Sequence, residues 1–219
     1  MALESLFDGK ETEEPFDLTR RITPDQGRLF VVSGPSGVGK GTVIREAMSR
    51  TSGATPLMKC ITATTREPRA GEINGQHYHF FSRAEFELRI DQGFFLEHAS
   101  YNDNLYGTPA ESVRFERSKG RDVLLEIEVQ GGLAVRDKAP DAVLIFLAPP
   151  SWEVLADRLL NRATESRDVA ERRLKIARQE MQAVSAYHYC IVNDALDDAV
   201  EALRAIVIAE RHRILKAEF

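Results

Sequence analysis

Lys40 stands near the end of the run Ser33-Gly34-Pro35-Ser36-Gly37-Val38-Gly39-Lys40-Gly41-Thr42, which closes a short apolar segment and opens a helical pattern. A Gly-rich loop of this kind aims successive backbone N–H groups at one point. The helix that follows brings its positive dipole end to the same point. Without Cβ atoms the backbone can approach an anion closely, and Lys40 adds a mobile charge that can follow a phosphate as it moves. The run matches the phosphate-cradle pattern G-x-x-x-x-G-K up to its last position. There Gly41 replaces the expected Ser or Thr, and Thr42 comes one step late, so the usual hydroxyl ligand to Mg2+ is missing or displaced.

Three further constellations carry charge in useful patterns. Arg66 and Arg69 sit three apart around Pro68, so their forks can converge on one anion, and Tyr78 and Tyr106 offer hydroxyl donors nearby. A solvated arginine pair in a loop is the plain alternative, weakened by the phosphate cradle in the same chain. Glu126 and Glu128 alternate on the apolar run 122–129, which puts both on one face of an expected strand. One could organise Mg2+ through its waters; the other could accept hydrogen bonds from a base. Arg158 and Arg162, with Arg172 and Arg173, flank a polar loop, where they can close on a triphosphate or serve as a salt-bridged surface helix. His77 and His79 lack a third ligand, and Cys60 and Cys190 lack metal spacing, so no tightly bound protein metal is expected.

The elements that must position these residues follow from periodicity. Apolar runs at 28–33, 122–129, 142–148 and 189–193 read as strands, with helices after each. That alternation predicts an α/β fold with a parallel sheet. Between them, 60–108 has short strand patterns, turns at Pro68, Gly71 and Asn74-Gly75, and a helix capped by Ser82 with Glu85 in capping-box position. Gln130-Gly131-Gly132 reads as a turn into the next helix. Residues 1–26, with Glu11, Glu13, Glu14, Pro15 and Pro24, read as a flexible leader.

The 219 residues, 43% hydrophobic and 29% charged, suffice for one sizeable soluble domain. A net charge of −5 argues against nucleic acid as the main partner. No apolar run approaches the length of a membrane span, no secretory signal pattern is present, and two isolated cysteines suit a cytoplasmic protein.

Several ordered motifs resemble guanylate kinases, from about Gly27 to the C-terminus: the 33–42 loop, Thr64-Thr65-Arg66-Glu67-Pro68-Arg69-Ala70-Gly71-Glu72, Tyr106-Gly107-Thr108, Glu126-Ile127-Glu128-Val129-Gln130-Gly131 and Ile191-Val192-Asn193-Asp194. The Gly-Lys-Gly-Thr variant also resembles the loop of adenylate kinase-like enzymes, in which the metal leans on phosphates and water. The resemblance implies a P-loop three-layer α/β fold with a parallel sheet core over 27–60, 109–151 and 173–219. It implies an inserted small mixed α/β acceptor-binding lobe at 61–108 and a mobile lid at 152–172. It implies ATP-dependent phosphorylation of GMP, with dGMP as a further acceptor and Mg2+ accompanying ATP. By similarity, Gly34, Pro35, Ser36, Gly37, Val38, Gly39, Lys40, Gly41 and Thr42 cradle ATP, and Asn193 meets adenine. Arg66, Arg69, Tyr78 and Tyr106 hold the GMP phosphate; Glu97 and Glu128 accept from guanine N–H groups; Thr62 and Thr108 meet its carbonyl. Lys40, Arg158, Arg162 and Arg173 resemble the catalytic cations.

Three positions depart from the family pattern: Thr62 where Ser is common, Ala163 where Gly often follows the lid Arg, and His98 where Trp is frequent, a packing change expected beside the base. The competing expectation is a catalytically silent guanylate kinase-like module that binds partner proteins; the intact loop around Lys40 favours the enzyme.

Overall fold

A computed structural model describes residues 26–50, 57–101, 103–160 and 167–213. The five-residue run Leu29–Ser33 forms β1, buried throughout. It leads through the Gly-rich loop into α1 (Lys40–Ser49). β2 (Leu57–Lys59), β7 (Asp122–Glu126), β8 (Val143–Ala148) and β9 (Tyr189–Val192) complete a parallel sheet in the order β2-β7-β1-β8-β9. A second, mixed sheet runs β4 (His79–Phe80), β3 (Ala63–Thr64), β6 (Asn104–Pro109), β5 (Phe95–Tyr101). The helices between are α2 (Arg83–Asp91), α3 (Ala110–Ser118), α4 (Val129–Lys138), α5 (Trp152–Leu160) and α6 (Arg167–Met181). A 3-10 turn (Gln182–Ala186) precedes β9, and α7 (Leu196–Arg211) follows it.

Alternation along the strands sends successive side chains into different layers. Phe30 and Val32 of β1 pack with Val43, Ile44, Val200 and Leu203 from α1 and α7. Leu29 and Val31 pack on the other face with Val113 and Val135 from α3 and α4. Covered on both faces, the central strands carry continuous apolar runs, as parallel strands require. The second sheet has its own small core of Ala63, Phe86 and Phe95, with the two phenylalanine rings stacked 4.4 Å apart.

Ser82 caps α2 as expected: its side chain accepts from Glu85 N. Several expectations are corrected. β7 ends at Glu126, and Glu128 is the N-cap of α4, so the two glutamates do not share a strand face. Gly131 and Gly132 lie inside α4 rather than in a turn before it. β2 and the full length of β6 carry no strand signal in a sequence reading; β6 exists because both edges pair, with β3 and β5. His98 is exposed on β5, on the opposite face of the strand from the buried Glu97. Residues 1–25 of the expected leader, with Arg162 and Ala163, lie outside the described residues. No helix among the described residues is long and apolar enough to cross a membrane.

Asp122 ties the layers together. Its carboxylate accepts from Arg28 N (2.8 Å) on one side and from Arg211 Nε of α7 (2.5 Å) on the other. Its side chain is only 4% exposed. Removing one partner of such a buried pair typically costs 3–5 kcal/mol. Asp122→Ala should therefore lower stability by about 3 kcal/mol, roughly 6–12 °C in Tm, read by denaturant and thermal melts.

Candidate functional site

The Gly-rich loop leaves β1 at the carboxyl edge of the parallel sheet, where open α/β sheets bind ligands. Gly39, the N-cap of α1, takes φ 98° and ψ 21°, a left-handed conformation that L side chains rarely adopt. No side chain caps this helix, and a helix N-terminus of this kind is suited to an anion. Lys40 Nζ folds back onto the loop, donating to Gly34 O (2.6 Å), and pairs with Glu128 Oε2 (3.0 Å). Asn193 follows β9, and its buried side-chain amide donates to Val38 O (2.7 Å), supporting the loop from behind. Arg158 of α5 donates to Asn193 O at 3.2–3.3 Å, so one expected catalytic cation stands on the same support.

A cleft of about 200 Å3 opens between the loop and the second sheet. It brings together Thr62, Arg66, Arg69, Tyr78, Tyr106 and Glu97 from the second-sheet region, and Ser36, Glu126, Glu128 and Arg173 from the parallel-sheet side. Glu126 and Glu128 thus reach one cleft although they do not share a strand. Glu97 is 3% exposed, and Thr108 Oγ1 donates to its Oε1 (2.6 Å). Burial pushes the Glu97 carboxyl above its ordinary range, against the pull of Thr108 and the more distant Lys138. Tyr78 is pushed up to about 12, first by burial and then by Glu126, so its hydroxyl keeps its proton as a donor.

Four engaged residues escaped the sequence reading. Glu72 takes both NH2 contacts of Arg66 (2.9 Å each) and accepts from Arg69 N (2.7 Å). Burial pushes Glu72 up, but the Arg69 N–H and Arg66 outweigh it, so its pKa falls below the ordinary value. Lys59 pairs with Glu126 at 2.6 Å. Tyr101 lines the cleft. Glu180, on α6, faces Glu128, Lys40 and the Ser36 N–H. The turn between Arg66 and Glu72 offered a faint signal for that pair; nothing in the charged pattern of α6 singled out Glu180.

Glu126 lies beside the loop at Gly41, where an added Cβ would stand 3.1 Å from its Oε1. An oxygen donor next to the phosphate cradle fits a hard divalent ion held through water. Among the described residues, no group of three or more His, Cys, Asp or Glu side chains is placed to hold a metal directly.

Glu180 titrates at about 7, raised from 4.5 chiefly by burial and then by Glu128, with Lys40 and the Ser36 N–H pulling the other way. A raised carboxyl binds its proton more tightly in the folded state, so ionising it destabilises the fold. The stability is full below pH 4.5 and declines as pH rises toward 7. Glu180→Gln should match the parent in stability near pH 4.5 and exceed it above pH 7, by on the order of 2 kcal/mol, read as a higher Tm in thermal melts across that range.

The family model for guanylate kinase matches residues 26–210. The guanylate kinase of Caldanaerobacter subterraneus subsp. tengcongensis is 47% identical over 86% of this chain and 90% of its own. That of Syntrophomonas wolfei is 47% identical over 86% of this chain and 95% of its own. The crystal structure of guanylate kinase from Anaplasma phagocytophilum superposes with a TM-score of 0.71 at 31% identity, covering 86% of this chain and 88% of that one. With the family model spanning residues 26–210 and 47% identity to curated guanylate kinases over most of both chains, the chain belongs to the guanylate kinases.

Proposed function

We propose that the chain transfers the γ-phosphoryl group of ATP to GMP, giving ADP and GDP, and accepts dGMP as well. The observation that carries this reading is the Lys40–Glu128 contact of 3.0 Å. It joins the phosphate loop to the arginine-lined cleft, so two phosphorylated ligands can lie end to end with their phosphates between them. The loop and Lys40 hold the donor phosphates. Arg66, Arg69, Tyr78 and Tyr106 hold the acceptor phosphate, and Glu97 with Thr62, Thr108 and Glu128 reads the base. Guanine presents N1–H and an amino group on one edge, which carboxylates accept. Adenine presents a lone pair at N1, which a carboxylate repels. Buried acceptors left unpaired by the wrong base can discriminate 10⁴–10⁵-fold.

No general base is required, because the GMP phosphate is already ionised. One of its oxygens attacks the γ-phosphorus, a P–O bond forms, and the β–γ bridging P–O bond breaks as ADP leaves. The chain's task is positioning and charge neutralisation. Arg158, Arg162 and Arg173 neutralise charge on the transferred group. Mg2+ accompanies ATP: Glu126 would hold it through water, and the ion would neutralise triphosphate charge. Asn193 supports the loop and borders the adenine. The substrates are small nucleotides, and the cytoplasm suits two unpaired cysteines.

The second reading, a silent protein-binding module, is not favoured, because the loop that such a module can dispense with is intact here and already holds Lys40 in place. A coupled assay of ADP release with ATP and Mg2+, offering GMP, AMP, UMP and CMP separately, tests both. Turnover is expected with GMP alone; GMP binding without turnover would select the module. Lys40→Met should lower kcat by about 10²–10³-fold while GMP still binds; a near-parental kcat would remove Lys40 from the phosphate site.

A further inference from the structure

Gly131 lies in the first turns of α4, buried, on the side that faces β5. A Cβ built there would stand 2.7 Å from Glu97 Oε2 and 3.3 Å from Glu97 Cδ. Its next neighbour, Ile127 Cδ1, would be at 3.5 Å, an ordinary contact. The one thing a methyl at this position meets too closely is therefore the Glu97 carboxylate. The same carboxylate is gripped from the other side, where Thr108 Oγ1 holds Oε1 at 2.6 Å. Glu97 is thus set between a hydroxyl that fixes one oxygen and a bare stretch of helix backbone that admits the other.

We propose that Gly131 is a positioning residue for base recognition: its missing side chain lets the Glu97 carboxylate seat against α4, in the orientation that meets the guanine edge. The inference rests on the reading of Glu97 as a base acceptor. It explains a glycine where helix propensity argues against one. Glycine within a helix is less favourable than Ala, so Ala at 131 would favour the helix itself. The displaced group would be the far end of a flexible side chain, and a cavity of about 450 Å3, lined by Glu97, Gly131, Leu133 and Ile176, lies beside it. The fold can therefore absorb the methyl while base reading cannot. Gly132 differs: a Cβ there would stand 2.5 Å from Tyr187 Oη and 2.6 Å from Ser33 Oγ, behind the sheet and away from Glu97.

The test is a double-mutant cycle of Gly131→Ala and Glu97→Gln, with Tm, kcat, KM for ATP, and KM for GMP and IMP, which lacks the 2-amino group. A hydrogen bond to a charged group corresponds to about 10–100-fold in affinity. Gly131→Ala is expected to keep or raise Tm and leave KM for ATP and kcat within about threefold. It should raise KM for GMP about 10-fold or more and narrow the preference for GMP over IMP. The double variant should resemble Glu97→Gln alone, because both act through one carboxylate. An unchanged GMP KM in Gly131→Ala beside a raised one in Glu97→Gln would overturn the inference and leave the base reading standing. An unchanged GMP KM in Glu97→Gln would overturn both. A large Tm loss in Gly131→Ala, or full additivity of the two substitutions, would show that the methyl acts elsewhere and would also overturn it.

Discussion

The pairing of Lys40 with Glu128 ties the site together, because it sets a phosphate-loop cation against a cleft carboxylate across 3.0 Å with the lysine side chain only 10% exposed. A cation that is to meet phosphate must sit in a dry, shaped place, and burying it alone is strongly unfavourable. The chain meets that constraint with internal oxygens. Lys40 has Gly34 O and Glu128; Arg66 has Glu72 and Glu67 O; Arg158 has Asn193 O. Each cation is already oriented toward an internal oxygen. On the proposed reading, phosphate would exchange one set of oxygens for another, with little reorganisation at the moment of reaction.

The same constraint explains which elements surround the cleft. β1 and β7 must be neighbours, since one delivers the loop and the other delivers Glu126 and the turn to Glu128. Asn193 must follow β9 to reach behind the loop, and its amide bond to Val38 O makes the far strand of the sheet a support for the phosphate cradle. Like charges crowd on the other side, where Glu128 and Glu180 face one another near Lys40. Their repulsion is part of why the Glu180 carboxyl is pushed up to about 7 and can share the space.

What the sequence made legible was local. The 33–42 loop, the Arg66–Arg69 pair and the Ser82 cap depend on spacing within a few residues: α1 starts at Lys40 as the loop ends, both arginines line one cleft, and Ser82 caps α2. What it concealed depends on partners far along the chain. Glu126 and Glu128 follow strand alternation in sequence, but β7 stops at Glu126 and α4 begins three residues on, at Val129, with Glu128 as its N-cap. Gly131-Gly132 imitates a turn because glycine usually marks one; here both glycines are helical, and their role is close approach. β6 exists through pairing with two neighbours rather than through its own propensity. Glu72 and Glu180 look like ordinary surface acids until the fold sets them against Arg66 and Lys40.

On the proposed reading, base choice turns on the charge state of Glu97. An ionised carboxylate only accepts, and so it favours the guanine edge. A neutral carboxyl both donates and accepts, and it could satisfy adenine by donating to N1. Burial at 3% exposure pushes Glu97 toward the neutral form, which would erode the selection. Thr108 opposes that drift, because its hydroxyl at 2.6 Å donates to Oε1 and so stabilises the charged state. The positive charge of Lys138, at the far end of α4, pulls the same way. Guanine N–H groups donating to Glu97 would complete the balance, since donors to the carboxylate favour its ionised form. Glu97 therefore needs to be dry enough to make an unpaired acceptor unfavourable with the wrong base, and partnered enough to remain an acceptor at all. Thr108 supplies the partner, and the bare backbone at Gly131 leaves room for the oxygen that Thr108 does not hold.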